Sequence, residues 1–221
     1  MLTLLHMPLC PFSRFVRLVL GETGLAASLV RLHPWEDDGF LALNPAGTVP
    51  VLIVDEKVAI PDSTAIAEYL EELNGETPLL PGDALARAEA RRLVRWFSDC
   101  LHADVTAPLL FEKFLRREKR LGGPDMGTIR AARAHLVQHL RYVGRLASQR
   151  HFLAGERLSL ADLAAAAQLS TLDYLGDVSW DGHDAVRDWY ARVKSRPSFR
   201  PLLADQIGGI DPPAHYTDLD F

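Results

Sequence analysis

A cysteine between a short apolar segment and a helical one is the feature that most constrains the fold. Residues 2–5 are apolar and predict a strand, and residues 14–20 predict a helix from apolar side chains spaced three and four apart. Cys10, followed by Pro11, lies where the strand ends and the helix begins. The unpaired N–H groups and the dipole of a helix make its N-terminus electropositive. We therefore expect the Cys10 thiol to form a thiolate more readily than a free cysteine does.

The residues that follow complete a small α/β unit. Residues 29–32, 51–54 and 58–60 are predicted strands, the last two forming a hairpin, and a turn-rich loop over residues 44–50 precedes that hairpin. Ser63 is placed to cap a helix. The apolar face of that helix recurs at helical spacing: Ile66, Tyr69, Leu70 and Leu73. The order β-α-β-loop-β-β-α is similar to that of thioredoxin.

The second half of the chain is predicted to be helical. The predicted organisation is an N-terminal domain over residues 1–76, a linker over 77–83, an all-helical domain over 84–204 and a C-terminal tail over 205–221. Cys100 lies in an apolar stripe, which predicts a buried structural thiol. Residues 159–162 form a capping box with Asp162 in place of the usual Glu, and we interpret Asp162 as a folding cap rather than a catalytic acid.

The composition of the 221-residue chain limits the classes of function. Its net charge of −5 gives no overall drive toward nucleic acid, and no apolar run is long enough to cross a bilayer. Two cysteines, Cys10 and Cys100, give no disulfide framework. The N-terminus has no signal-peptide pattern. We expect a cytoplasmic protein with reduced thiols, no membrane insertion, no bound nucleic acid and no metal.

Several motifs occur together along the chain. They are Cys-Pro-Phe-Ser-Arg at residues 10–14, Asn-Pro-Ala-Gly-Thr-Val-Pro at 44–50, Asp-Ser at 62–63 and Ser-Leu-Ala-Asp at 159–162. With these motifs the chain resembles the glutathione transferases over nearly its whole length. The resemblance implies an α/β thioredoxin-like N-terminal domain, an all-α C-terminal domain and a dimer of identical subunits. It also implies a cis bond before Pro50, which would turn the Val49 backbone outward to pair with the cysteinyl unit of glutathione.

The same resemblance implies the other residues of a glutathione site. Cys10, or Ser13 as the second choice, would lie near the glutathione sulfur. Asp62 and Ser63 would hold the γ-glutamyl end, Ser63 through its hydroxyl and the amides of the helix N-terminus. The resemblance thus implies glutathione as the possible cofactor, and no metal.

Two kinds of function stay open for this site. In the resembled family, a cysteine at the position of Cys10 suits thiol–disulfide or deglutathionylation chemistry, whereas serine or tyrosine suits conjugation. No second cysteine lies in the motif, which excludes a dithiol mechanism. Ala46 and Thr48 depart from the family, whose members often place a longer basic or polar side chain toward the glycyl carboxylate. The chain is therefore either a working glutathione transferase or thiol transferase, or a protein with a weak or vestigial glutathione site.

Positive charge is concentrated between residues 113 and 150. This segment holds ten basic residues against two acidic ones, a net charge of +8, so the rest of the chain sums to −13. The densest part consists of five side chains: Lys113, Arg116, Arg117, Lys119 and Arg120. Such an asymmetry favours an acidic partner surface. Two solvated helix faces are the alternative for most of these residues.

The tail, residues 205–221, carries four acidic residues and no Lys or Arg. Its apolar side chains, Tyr216, Leu219 and Phe221, either pack on their own body or dock into a partner. The long helices and this tail resemble family members that bind the tubulin-like division protein FtsZ. The resemblance implies a dimeric adaptor that binds FtsZ filaments, influences their curvature and cell constriction, and acts at the division site. Trp35 would be a further contact with the polymer.

Overall fold

A four-stranded mixed sheet forms the centre of the N-terminal half. The structure, a computed structural model, describes residues 1–34, 38–75 and 78–219. The strands of this sheet are β1 (Leu2–His6), β2 (Ala27–Arg31), β3 (Val51–Val54) and β4 (Val58–Pro61), in the order β2-β1-β3-β4. β1 runs parallel to β2 and antiparallel to β3, which places Leu4 opposite both Leu29 and Leu52. The predicted strands are confirmed, with β2 lying slightly earlier than predicted.

Three helices accompany this sheet: α1 (Pro11–Thr23), α2 (Asp38–Leu43) and α3 (Ser63–Leu73). α1 is the crossover that a parallel β1–β2 pair requires, and it ends at Gly24, whose φ of 67° is left-handed. The prediction that Ser63 caps α3 is wrong. Asp62 is the N-cap, because its carboxylate accepts the N–H groups of Thr64 and Ala65 at 2.8 and 2.9 Å.

The second half is a helical domain. One continuous rod contains α4 (Ala84–Arg95), α5 (Ala107–Leu110) and α6 (Arg116–Glu118), joined by the π-helical stretches Trp96–Thr106 and Phe111–Leu115. The remaining helices are α7 (Met126–Gln149), α8 (Leu160–Tyr174), α9 (Asp184–Lys194) and α10 (Arg200–Leu203). The predicted fold class, an α/β thioredoxin-like domain followed by an all-α domain, is confirmed. The boundaries proposed for the two domains, the linker and the tail stay predictions.

α8 is the central helix of the second half, and all of its residues are buried. The predicted capping box is confirmed, since Asp162 accepts the N–H and the hydroxyl of Ser159 at 3.0 and 2.9 Å. Asp162 also accepts the Leu153 N–H and the Trp189 indole N–H. All four donors belong to the protein itself, so the Asp162 carboxylate stabilises the fold. α8 packs against α1, and this contact joins the two halves of the protein.

The thiol of Cys100 is exposed, so the prediction of a buried structural cysteine is wrong. The buried side chains of the rod recur at every fourth position: Leu93, Phe97, Leu101, Val105 and Leu109. The π-helical hydrogen bonds of this rod, from residue i to i+5, widen the turn, so a spacing of four stays on one face. Cys100 lies one position before that row and therefore points to solvent.

Candidate functional site

The N-terminal domain and the helical rod enclose a cleft of ≈ 550 Å³. The cleft brings together five residues predicted for the glutathione site, from three separate segments: Cys10, Val49, Pro50, Asp62 and Ser63. Lys119, predicted as a partner contact, also lines it. α1 begins at this cleft, α3 begins beside it, and the loop before β3 runs along it. The facing wall is mostly apolar and comes from the rod: Ala107, Leu110, Phe111 and Leu115. Residues far apart in the sequence thus share one concave surface.

The Cys10 thiol is buried against the loop that precedes β3. It is 7 % exposed, and its Sγ donates to the Val49 carbonyl oxygen at 3.6 Å. The bond between Val49 and Pro50 is cis, as the resemblance implied. Burial raises the pKa of the Cys10 thiol, and hydrogen bonds from Ser13 oppose that rise without reversing it. The predicted thiolate is wrong for this conformation, because desolvation outweighs the field of the helix N-terminus.

Ser13 lies beneath the cleft and is not among its lining residues. It is fully buried, and its hydroxyl oxygen accepts the Met7 N–H at 3.3 Å. This bond fixes the loop between β1 and α1. Ser13 also hydrogen-bonds the Cys10 thiol, so it lies behind the thiol rather than in the lining of the cleft, and its role as the second choice stays a prediction.

Asp62 and Ser63 form the polar end of the cleft. Asp62 has a φ of 75°, a conformation that costs energy for a residue with a side chain. Its carboxylate already accepts two amides at the start of α3. Ser63 is 6 % exposed and lines the cleft beside it. An anionic ligand at this end would therefore meet the Ser63 hydroxyl and an N-terminus whose amides are partly in use.

His102 is a cleft residue that the sequence analysis missed. It lies on the π-helical stretch Trp96–Thr106, and its ring contacts that of Phe12 with centroids 4.4 Å apart. Burial lowers the pKa of His102, so the ring is neutral at pH 7. Its Nδ1 has no hydrogen-bond partner among the described residues. No sequence signal identifies it, because the spacing that turns it toward the cleft depends on the wide helical turn.

Three of the five basic side chains predicted to meet a partner bind their own chain instead. Lys113 donates to the Asp177 carboxylate at 2.9 Å. Arg116 donates to a carbonyl of the loop before α7 at 2.7 Å. Arg117 donates to the carbonyls of residues 208 and 209 in the tail. In this conformation these three side chains brace the end of the rod and the tail.

Lys119 and Arg120 are exposed where the rod turns toward α7, at the hairpin tip formed by residues 119–126. Arg120 has a φ of 55° and donates its N–H to the Arg117 carbonyl at 3.0 Å, which ends the helix in a left-handed residue. Leu121 and Met126 are each 52 % exposed beside them. The hairpin tip therefore combines positive charge with accessible apolar surface.

The tail folds back onto the body of the protein. Tyr216 is fully buried, and its hydroxyl accepts from Arg14 at 2.8 Å and donates to the Leu202 carbonyl at 3.3 Å. The structure contradicts Tyr216 as a partner contact, because its side chain already packs in the core. Leu219 is 36 % exposed. The predicted contacts Trp35 and Phe221 lie outside the described residues.

No group of three or more metal-ligating side chains occurs in the ranges 1–34, 38–75 and 78–219. No helix in those ranges is both long and apolar enough to cross a membrane.

Two family profiles match the chain. The profile of the glutathione S-transferase N-terminal domain matches residues 4–78, and that of the glutathione S-transferase C-terminal domain matches residues 126–192. The chain belongs to the glutathione S-transferase family, as its cleft and two-domain fold indicate.

Individual relatives match the whole chain. It is 47% identical over 223 residues to FtsZ-localized protein A of Caulobacter vibrioides, and the aligned residues cover 99% of this chain and 98% of that protein. The structure of FzlA from C. crescentus superposes with a TM-score of 0.96 at 47% identity, covering 100% of this chain and 99% of that one. A glutathione S-transferase from Rhodospirillum rubrum F11 superposes with a TM-score of 0.95 at 49% identity, covering 100% of both chains.

Proposed function

We propose that this protein is a dimeric adaptor that binds FtsZ filaments and influences their curvature and cell constriction, acting in the cytoplasm at the division site. The observation that carries the proposal is the full-length similarity to FtsZ-localized protein A. A dimer presents each of its surfaces twice, so weak contacts along a repeating polymer add by avidity.

The hairpin tip is the surface we propose for the polymer contact. Lys119 and Arg120 are exposed there, at the turn between the rod and α7. Leu121 and Met126 add apolar area that a partner can bury. An acidic surface of a filament subunit would complement this combination, and Leu219 near the chain end is a further candidate contact.

The cleft supports the adaptor over a transferase because its reactive groups are already occupied. The Cys10 thiol is neutral, and it donates to the Val49 carbonyl that would otherwise pair with glutathione. Asp62 uses two of the amides at the start of α3. Ala46 and Thr48 offer no positive charge to the glycyl carboxylate. We therefore propose a weak or vestigial glutathione site.

Co-sedimentation with FtsZ polymers tests the adaptor. We expect the double variant Lys119→Glu/Arg120→Glu to lose co-sedimentation while its circular dichroism and melting temperature stay near those of the wild type. The matched control is Arg141→Glu/Arg145→Glu, which makes the same charge change about 20 Å farther along α7. Equal pelleting of both variants would contradict the hairpin tip as the contact. No pelleting by the wild type would contradict the adaptor itself.

A second candidate is a thiol transferase that uses Cys10 and glutathione. The observation that favours it is the gathering of Cys10, Val49, Pro50, Asp62 and Ser63 in one cleft. Calorimetric titration with glutathione, followed by turnover of a glutathione mixed disulfide, tests it. Turnover that disappears in Cys10→Ala while FtsZ co-sedimentation persists would establish a catalytic role beside the adaptor. Absence of both glutathione binding and turnover would reject it.

A further inference from the structure

β2 is an edge strand whose outer side is free. The strand order β2-β1-β3-β4 gives it one neighbour, β1, and no other strand of the described residues pairs with it. Leu29 and Val30 in its centre are 46 % and 44 % exposed. An exposed edge with apolar side chains is a template for adding another strand, which natural proteins usually block.

The backbone groups of this edge alternate in direction. Leu32 donates its N–H to the His6 carbonyl at 3.1 Å, so the even-numbered residues of β2 face β1. Leu29 and Arg31 therefore turn their N–H and C=O groups away from β1, toward the free edge. Their side chains share one face of the sheet, because side chains two positions apart point the same way. Val30 presents its side chain to the opposite face.

A groove of ≈ 280 Å³ runs beside this edge on the face of Leu29. Its walls are mainly apolar and come from α1, the turn before β2, β2 itself and residues 197–201 at the start of α10: Leu20, Leu25, Leu29, Pro197 and Pro201. Arg17 lies in the lining of the same groove. A side chain projecting from an added strand would enter this groove beside Leu29.

Arg17, in the lining of the groove, belongs to a cluster of arginines around Asp205. The Asp205 carboxylate faces three guanidinium groups, those of Arg17 at 2.6 Å, Arg31 at 3.7 Å and Arg14 at 3.8 Å. Arg17 Nε and Arg14 Nη2 have no hydrogen-bond acceptor among the described residues. The Arg31 side chain is 62 % exposed, so its charge reaches the free edge. Arg14 is fully buried and Arg17 nearly so, and Arg31 is therefore the member of this cluster that an acidic side chain on an added strand can meet.

We propose that the free edge of β2 binds an extended segment of a partner protein by strand addition, with an apolar side chain in the groove at Leu29 and an acidic side chain two positions away against Arg31. Main-chain hydrogen bonds to Leu29 and Arg31 would supply affinity. The groove and the Arg31 charge would supply specificity. The site is separate from the cleft and from the hairpin tip, and it does not depend on the FtsZ proposal.

Fluorescence polarisation with short dye-labelled peptides tests the site. The peptides alternate threonine with one leucine and one aspartate two positions apart, in both orders, since the strand can add in either direction. We expect saturable binding of at least one order. Replacing aspartate by lysine in the peptide, or methylating its backbone nitrogens on the pairing side, should weaken binding at least about tenfold.

Two protein variants make the test specific to the groove face. Leu29→Glu places a charge in the groove and should abolish binding, whereas Val30→Glu adds the same charge on the opposite face and should leave affinity within about twofold. Equal effects of the two variants, or no binding of either peptide to the wild type, would overturn the proposal. A change of oligomeric state in Leu29→Glu by light scattering would also overturn it, because a second copy would then occupy the edge.

Discussion

The cleft residues and the basic residues differ in how the fold arranges them. Cys10, Val49 and Ser63 are far apart in the sequence, yet they line one cavity. Lys113 and Arg120 are close in the sequence, yet Lys113 binds Asp177 while Arg120 faces solvent. Basic residues that are close in the sequence thus have different surroundings in the fold, whereas residues that are far apart in the sequence line the same cleft.

This contrast shows which sequence signals carry spatial information. The cleft motifs mark backbone junctions, where a strand ends or a helix begins, and the topology of the sheet brings such junctions to one place. The cluster of basic residues, in contrast, is a feature of composition and marks no backbone junction. Composition predicts charge but not direction, since an arginine finds either solvent or a nearby carbonyl depending on what packs beside it. The inward and outward groups can be told apart by experiment.

The largest expected effect concerns Tyr216, the tail residue that points inward. Tyr216→Ala should lower the free energy of unfolding by about 3–5 kcal/mol, because it empties a fully buried aromatic site. Tyr216→Phe keeps the ring but removes one of the acceptors of the Arg14 guanidinium and the hydroxyl's own bond to the Leu202 carbonyl, for a loss of about 1–3 kcal/mol. Urea denaturation followed by circular dichroism measures both. A tail that served only to dock would show wild-type stability in both variants.

The next effect concerns His6, which lies in β1 beside the inward-facing Arg17. Burial first, and the Arg17 charge second, lower the pKa of His6 from 6.5 to about 4. The unfolded chain therefore binds a proton between these values that the folded protein excludes. The contribution of His6 to the free energy of unfolding is fully present above pH 6.5. We expect the free energy of unfolding to fall by up to about 3 kcal/mol as the pH drops to 4.

Comparison of variants isolates this contribution from other titrating groups. His6→Leu should flatten the fall in stability between pH 6.5 and pH 4 relative to the wild type. Parallel slopes for the wild type and His6→Leu would show that the folded protein protonates His6 freely.

A smaller effect is expected in the alkylation rates of the two cysteines, and it tests whether the cleft stays closed around Cys10. At pH 7 iodoacetamide should modify the exposed Cys100 at least about tenfold faster than the buried Cys10, whose pKa is raised by burial. Mass spectrometry of peptides sampled over time measures both rates in one experiment. Faster modification of Cys10 would mean that the cleft opens and the thiolate forms, which would favour the thiol-transferase alternative.

The smallest expected effect lies at the hairpin tip. Arg120→Gly should raise the free energy of unfolding by about 0.5 kcal/mol, because glycine adopts the left-handed conformation of this position without strain. Lys119→Gly, at a φ of −83°, has no such strain to relieve and should be neutral or slightly destabilising. Thermal melts of the pair measure the difference. A loss of stability in Arg120→Gly would show that its side chain, like that of Arg117, holds the fold.

Local signals predicted most of the secondary structure, and the resemblance to the glutathione transferases predicted the membership of the cleft. Strands β1, β3 and β4, helix α3 and the capping box at Ser159 all follow from patterns within a few residues, and the structure agrees with them. The wrong predictions concern the protonation and exposure of side chains, which depend on the surrounding structure and not on residue type alone. The protonation of Cys10 depends on burial by a second segment, and the exposure of Cys100 depends on the π-helical turn of the rod.

The sequence by itself determined the two-domain fold, the position of Cys10 at a helix start and the charge asymmetry, because each follows from residue type and short spacing. Only the tertiary structure decided the state of the thiol, the burial of Tyr216, the place of His102 in the cleft and the inward direction of Lys113 and Arg117. These properties depend on which distant atoms replace water around a group. Contacts between segments that are far apart in the sequence decide this, and no local pattern records them.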